Sequence, residues 1–395
     1  MIPARTTRCT GPNHVQGCCA PTATAIDTKW LAAALGLPPV AITTVAANAF
    51  SGGFSPIVKS LLCVEYDATV PAEESSRPAA LFMKLLPADT TNLVHRLGDA
   101  IVPMLQQAHR VEAAFYAHAM QFEQLRSIVP RAYHADCHQA ILLADLSSFG
   151  FKPLSPWSVD LTEGPDVDRT ALLAIVDTLA TLHTSTGVIP AGSLLTWDAL
   201  IQSRTDRVMI PVKHDAKALE TLLHLFCAHF RPDAPVLLRN LCSRAAAVGY
   251  AAIVRAISTT SGIAHILHGD PNPGNVLYNA VDSRALLVDF QDTAADAPAV
   301  VDIARLLISA MHSRSRASLE AELVSTYVAK ANIVHRDQFT RDLHLALLAD
   351  AILIMASVAF TLETKAPALF YALGERSIAC LRDHAAEMVE ALQGL

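Results

Sequence analysis

Between His265 and Phe290 the sequence reads HILHGDPNPGNVLYNAVDSRALLVDF, and it places two acidic or amide clusters on strand-loop-strand texture. Asp270 and Asn275 are separated by Pro271, Asn272, Pro273 and Gly274, a string that cannot be helix interior and that turns both side chains toward one place. The apolar run Ala285 to Val288 then delivers Asp289 at a strand end. These are the groups that phosphoryl transfer needs. A carboxylate orients an attacking hydroxyl and accepts its proton, while oxygen ligands hold magnesium against the phosphates. Asp270 suits the first role; Asn275 and Asp289 suit the second. Taken singly, each residue is ordinary turn chemistry or a strand terminus. In this order and context, the functional reading is the stronger one.

His268, Asp270, Asn275, Asp289 and Phe290 fill the five positions of the kinase pattern H-x-D-x-x-x-x-N followed by D-F. Such an enzyme needs a second half-site nearer the N-terminus, and three candidates stand there in the required order. Gly52, Gly53 and Ser55 lie in FSGGFS between two strand candidates, where glycine lets backbone N–H groups approach phosphate closely. On its own, Gly-Gly is only a turn. Lys84 is a lone charge in the apolar strand LFMKLL, where burial costs several kcal/mol unless an anion compensates it. Glu112, on a helical stretch with apolar neighbours, is the candidate partner of Lys84. Without Lys84, Glu112 would read equally well as a solvent-exposed side chain.

The elements that must position these groups follow from periodicity. A short helix is expected over Asp27 to Leu37, followed by strands over Ala41 to Phe50, Ile57 to Tyr66 and Ala80 to Leu86 in an antiparallel meander. A long helix is expected over Gln106 to Leu125, then strands over Arg131 to Ala135 and Ala140 to Ala144. From Ser147 onward long Ala/Leu-rich helices dominate, such as Arg169 to Thr184 and Leu219 to Phe230. Strands first and helices second predict an α+β chain with two lobes, the first carrying the sheet and the second mainly helical. The expected division is a loose leader over 1–26, a nucleotide-binding lobe over 27–145, and a catalytic and acceptor-binding lobe over 146–395.

Composition removes several other classes. The chain has 395 residues, 52% of them hydrophobic and 17% charged, so a large core is available. A net charge of −7 with scattered Lys and Arg does not suit nucleic acid. The eight cysteines form no C-x-x-C pair and are expected to be mostly reduced; Cys18 and Cys19, adjacent in the leader, read as incidental rather than as a redox or metal feature. The leader has Arg5 and Arg8 but no apolar run like that of a secretory signal, so a cytoplasmic protein is expected. The apolar stretch Leu343 to Leu362 is broken by His344 and Asp350 and reads as a buried core helix rather than a membrane span. No G-x-S-x-G elbow supports an acyl enzyme.

Over roughly residues 27 to 395 the chain resembles the aminoglycoside phosphotransferase and choline kinase superfamily, which shares the protein-kinase-like fold. The Asp-Phe-Gln at 289 to 291 is closer to its ecdysteroid-kinase-like branch than to protein kinases. His268-Gly269-Asp270 with Asn275 resembles the superfamily's catalytic loop, and Leu179 to His183 resembles a helix segment found early in its C-terminal lobe. The resemblance implies ATP and Mg2+ as cofactors and a small-molecule hydroxyl acceptor. It also implies a hinge at Leu142 to Leu146 that hydrogen-bonds adenine, and a structural role for Asp302 bracing the catalytic loop. Absence of an Ala-Pro-Glu triplet argues against a protein substrate. Two functions stay open: a kinase of small alcohols, and a catalytically inactive nucleotide-binding module on the same fold. Retention of Lys84, Asp270, Asn275 and Asp289 favours the first. The acceptor stays open between a cationic aminoglycoside or choline-like compound, which Asp160, Glu163, Asp166 and Asp168 would suit, and a lipophilic alcohol such as a sterol or macrolide, which the Asp-Phe-Gln variant favours.

Overall fold

A computed structural model describes residues 26–50, 58–69, 77–86, 101–136, 140–154, 167–185, 192–209, 215–230, 236–257, 265–362 and 368–395. Asp27 caps the first helix, α1 (Thr28–Ala34), by accepting the Lys29 N–H at 2.9 Å. Strands β1 (Ile42–Phe50), β2 (Val58–Tyr66) and β3 (Ala80–Leu85) follow, then helices α2 (Ile101–Ala119) and α3 (Glu123–Ser127), then strands β4 (Ala132–Ala135) and β5 (Ala140–Ala144). All pairings are antiparallel, in the order β1-β2-β3-β5-β4. The first three strands form the expected meander. The chain then leaves the sheet through α2 and returns so that β5, not β4, lies beside β3.

The single helix expected over Gln106 to Leu125 is two. After Ala119 the Gln121 and Phe122 amides fall back on the His118 and Ala119 carbonyls, tightening and ending α2 before α3 begins. Apolar residues continue through that bend, so periodicity alone does not reveal it.

The second lobe contains β6 (Lys152–Pro153), α4 (Arg169–Thr184), β7 (Leu195–Thr196), α5 (Trp197–Met209), α6 (Ala216–Phe230), α7 (Val236–Val248), α8 (Tyr250–Ala256), β8 (His265–Leu267), β9 (Val276–Asn279), β10 (Arg284–Leu287) and β11 (Ala294–Ala297). It closes with α9 (Val300–Ala310), α10 (Ser313–Lys330), α11 (Arg336–Leu362), α12 (Ala368–Asp383) and α13 (Ala385–Ala391). Two small sheets, β10-β9-β6 and β7-β11-β8, interrupt the helices around the Asp270 to Asp289 stretch. The fold is therefore α+β, with an antiparallel N-terminal sheet and a mainly helical remainder.

Hydrophobic burial is divided unequally. A small core packs α1 onto the sheet through Leu31, Leu62, Leu81 and Leu142. The main core runs from Phe115 and Ile141, beneath the other face of the sheet, into α4, α9 and α11. Because one continuous apolar body joins α2 and β5 to the helical lobe, residues 200 positions apart in sequence can be held in fixed register. Among the described residues, 336–359 in α11 are long and apolar enough to cross a membrane, but 83% of that window is buried inside the protein. It is a core helix.

Candidate active site

The sheet half of the site begins with an electrostatic conflict. Lys59 on β2 pairs directly with Lys84 on β3, and like charges opposite each other destabilise a sheet. Lys84 is 3% exposed, so its ammonium must be compensated by neighbouring anions. Two carboxylates supply that. Glu112 of α2, wholly buried, takes the Lys84 Nζ at 2.6 Å, and Asp289 takes it at 2.7 Å. Lys59 Nζ lies 3.7 Å from the other Asp289 oxygen, so Asp289 answers both lysines. Burial opposes the Lys84 charge, but Asp289 and Glu112 outweigh it and hold its pKa above the ordinary value. Burial likewise opposes ionisation of Asp289, and Lys84 followed by Lys59 overcomes it, keeping this carboxyl well below the usual carboxylate range.

Asp289 has φ +71°, a left-handed conformation that costs a residue with a side chain. What fixes it is the anchoring on both sides. Val288 donates its N–H to the Asn275 carbonyl at 3.0 Å and accepts from His268 Nε2 at 3.0 Å. Phe290 is fully buried, stacked on Phe115 at 3.8 Å with its ring centroid 4.5 Å from that of His268. Phe115 lies one turn beyond Glu112 on α2. The Phe290 stack therefore ties the helix bearing Glu112 to the segment bearing Asp289.

The helical half is the loop from His268 to Asn275. Gly269 has φ +89°, and a Cβ there would stand 2.2 Å from the Asp292 carbonyl oxygen, so only glycine fits. Asp302, at the start of α9, accepts the His268 and Gly269 N–H groups at 2.7 and 2.9 Å and is itself held by His183 Nε2 at 3.0 Å. That is the bracing role expected of Asp302, and it gives the Leu179 to His183 segment a purpose. With Nε2–H committed to Val288, His268 Nδ1 accepts the Asp270 N–H at 3.2 Å. Burial holds the His268 pKa below the ordinary histidine value, in keeping with a neutral ring that donates from one nitrogen and accepts at the other.

The Asp270 carboxylate is gripped from two sides. Asn275 Nδ2 donates to its Oδ2 at 3.2 Å and to its main-chain carbonyl at 2.9 Å, and Arg305 Nε donates to Oδ1 at 2.8 Å. Each carboxylate oxygen keeps a lone pair for a further donor, such as a hydroxyl. Because Asn275 spends its NH2 on Asp270, its amide oxygen remains available as a hard ligand. Asn275 and Asp289 therefore offer two oxygen donors, the set by which magnesium is held jointly with phosphate oxygens. Among the described residues no group of three or more His, Cys, Asp or Glu could hold a metal by itself. Such a donor set fits an ion that arrives with a phosphorylated ligand.

The structure thus gathers Lys84, Glu112 and Asp289 into one cluster, and Asp270 and Asn275 into a second joined to the first through Val288 and His268. Gly52, Gly53 and Ser55 lie outside the described residues. Asp145, in the expected hinge, receives the Ser147 N–H at 3.0 Å as a turn cap. Four contributors escape sequence reasoning: Lys59, Arg204, Arg207 and Arg305. Arg204 donates to the Gly269 carbonyl, and Arg207 forms a two-pronged pair with Asp292 at 2.7 and 2.9 Å. Arg305 had a signal, being the one cation in the largely apolar helix VVDIARLLISA, three residues from Asp302. Of the described cysteines, Cys227, Cys242 and Cys380 are buried thiols.

Solved structures of like fold include a choline kinase from Cryptosporidium parvum Iowa II, with TM-score 0.51 and 10% identity over 88% of this chain and 91% of that one. A choline/ethanolamine kinase family protein from Mesorhizobium loti has TM-score 0.49 and 13% identity over 88% and 92% of the two chains. An aminoglycoside phosphotransferase from Alicyclobacillus acidocaldarius has TM-score 0.49 and 15% identity over 90% and 94%. No curated protein matches the sequence. The sequence model of the ecdysteroid kinase-like family matches residues 99–334, which span Glu112, Asp270, Asn275, Asp289 and Asp302. With more than half of its length covered by that match, the chain belongs to the ecdysteroid kinase-like family.

Proposed function

We propose that the chain is an ATP- and magnesium-dependent phosphotransferase that phosphorylates a hydroxyl group of a small molecule. The observation that carries this reading is the buried Lys84, held by Glu112 from the same lobe and by Asp289 from the other. A lysine so placed is a fixed cation at a junction between lobes, and a triphosphate entering there would meet it together with Lys59. Asn275 and Asp289 would hold the magnesium, which supplies neutralisation of the negative charge that develops on the phosphates. Asp270, oriented by Arg305 and Asn275, accepts the acceptor's hydroxyl proton and directs its oxygen in line with the γ-phosphorus. Transfer is direct, with no covalent enzyme intermediate. Membership of the ecdysteroid kinase-like family supports the same reading.

For the acceptor, the charge pattern near Asp270 favours a neutral, largely apolar alcohol over a cation. The carboxylates there are already matched: Asp270 with Arg305, Asp292 with Arg207. A choline-like or aminoglycoside amine would need unmatched ones. Of the acidic residues suggested for that role, Asp168 instead caps α4 through the Thr170 N–H, and Asp160, Glu163 and Asp166 lie outside the described residues.

The test is a thermal-shift and ADP-release screen with Mg-ATP against sterols, macrolide alcohols, choline-type amines and aminoglycosides. Stabilisation by Mg-ATP with acceptor-dependent ADP release is expected, strongest among the neutral alcohols. Asp270→Ala should lower transfer by about 10²–10⁴-fold while leaving Mg-ATP stabilisation intact, because it removes proton acceptance and not nucleotide contacts. Stabilisation without turnover on any acceptor would favour an inactive nucleotide-binding module. No response to nucleotide would end the kinase reading.

A further inference from the structure

Helix α11 is 27 residues long and almost wholly apolar on its buried stretch, yet Asp350 sits near its middle, 2% exposed. It lies beyond the 99–334 segment that matches the family. A lone carboxylate in such a place costs several kcal/mol unless it is paired, so its presence there needs a reason. Burial pushes the Asp350 carboxyl above its ordinary value, and Arg305 and then Arg204 oppose that.

Both arginines lead to the same loop. Arg305 of α9, which packs against α11, places Nη1 3.4 and 3.5 Å from the two Asp350 oxygens while its Nε donates to Asp270 Oδ1 at 2.8 Å. Arg204 of α5, itself buried, donates to the carbonyl of Gly269, the residue before Asp270. The guanidinium is planar and presents its donors along different edges, so holding Nη1 at Asp350 fixes the direction in which Nε points. A lysine in its place would present one point charge and could not define both directions.

We propose that Asp350 and Arg305 form a positioning pair that sets the orientation of the Asp270 carboxylate toward the acceptor hydroxyl, with α11 as its anchor. This rests on the reading of Asp270 as the proton acceptor. Stability alone does not account for the pair, because a buried ion pair contributes little compared with apolar side chains of similar volume. Those side chains would complete the α9–α11 contact equally well but leave Asp270 without a fixed cation. Misplacement of a reacting group by about 1 Å is enough to lower a rate by about 100-fold.

The test uses the full chain with Asp350→Asn, Arg305→Lys and the charge-free double variant Arg305→Met/Asp350→Leu. With the alcohol that gives turnover in the screen above, kcat should fall about 10- to 100-fold in all three, while KM for Mg-ATP stays within about twofold of the wild type. The double variant should recover the wild-type unfolding midpoint without recovering kcat. If it recovers both, the pair is only structural and the proposal is overturned. Should Asp270→Ala itself retain turnover, or should no alcohol be phosphorylated, the kinase reading has failed instead. The pair is then still judged by amide hydrogen exchange in the full chain. Faster exchange over residues 268–275 in all three variants, with β10 unchanged, supports the anchoring, and unchanged exchange there refutes it.

Discussion

In the sheet half of the site, charge is held by a bare three-membered cluster: Lys84 between Glu112 and Asp289, with Lys59 beyond. In the helical half, Asp270 sits inside a web of main-chain and side-chain donors, with Asp302 clamping two consecutive amides and Arg305 and Asn275 fixing the carboxylate. The sheet cluster exists only when residues from both lobes meet, since Asp289 lies 205 positions from Lys84 in the chain. The loop's hydrogen bonds with Asp302, Val288, Asn275 and Arg305, in contrast, are made within the helical lobe. Disturbing the first should therefore register on stability and nucleotide contacts together, and disturbing the second should register locally.

The sharpest break of this contrast is Lys84→Met. It leaves the wholly buried Glu112 carboxylate uncompensated and should destabilise the protein by about 3–5 kcal/mol in a denaturant titration, with loss of Mg-ATP stabilisation. Adding Glu112→Leu should restore most of the stability but none of the nucleotide response. A single variant within 1 kcal/mol of wild type, on the order of an exposed pair, would mean the cluster is not buried as described.

Next in size is Gly269→Ala in the loop. The left-handed backbone alone should cost about 1–3 kcal/mol, and the clash with the Asp292 carbonyl must displace either the loop or the turn that holds Asp292. Denaturant midpoints compared with Gly274→Ala, in the same loop, would test it. An equal effect at both positions would contradict the close approach at Gly269.

A smaller effect distinguishes the halves by pH. His268 is buried with its pKa lowered, so between pH 6.5, where the unfolded chain begins to take up this proton, and the lower folded value only the unfolded state is protonated. Its contribution is fully present above about pH 6.5 and is lost as pH falls, by at most about 1.4 kcal/mol per pH unit. Asp289 and Asp302, whose folded pKa values are depressed, add stability above the ordinary carboxylate range that is lost only at more acid pH. His268→Gln should therefore flatten the fall in unfolding free energy between pH 7 and about 5.5. An unaltered slope would show that His268 is not the group responsible.

The smallest expected change is Lys59→Ala. At 3.7 Å from Asp289 and partly exposed, the pair should contribute about 0–1 kcal/mol, and removing Lys59 also relieves its repulsion with Lys84. A several-fold rise in KM for Mg-ATP with near-normal stability is expected from kinetics. A large loss of stability would make Lys59 a structural partner equal to Glu112.

Much of the site was legible because its residues break local rules. A lysine in an apolar strand, a Pro-Gly-rich loop bracketed by Asp270 and Asn275, and an aspartate after an apolar run each signal a position held for something other than packing. Helix and strand types followed the hydrophobic period, and Arg169 to Thr184 was readable end to end because its buried face recurs at helical spacing. The bend between α2 and α3 was not legible, since apolar residues run through it. Nor was the order of β4 and β5, because strand adjacency after a helical excursion is set by how α2 packs on the sheet.

The amino-acid sequence by itself determined which residue types stand at Lys84, Glu112, Asp270, Asn275, Asp289 and Asp302, and the alternation of apolar and polar positions that makes a sheet lobe followed by a helical one. Tertiary structure decided which charges meet. The pairing of Arg305 with both Asp270 and Asp350, of Arg207 with Asp292, and of Lys59 with Asp289 joins residues far apart in the chain. Those meetings depend on how the helices cross and how the lobes share one apolar core, because an ion pair is formed by distance and burial, and neither is carried by local sequence.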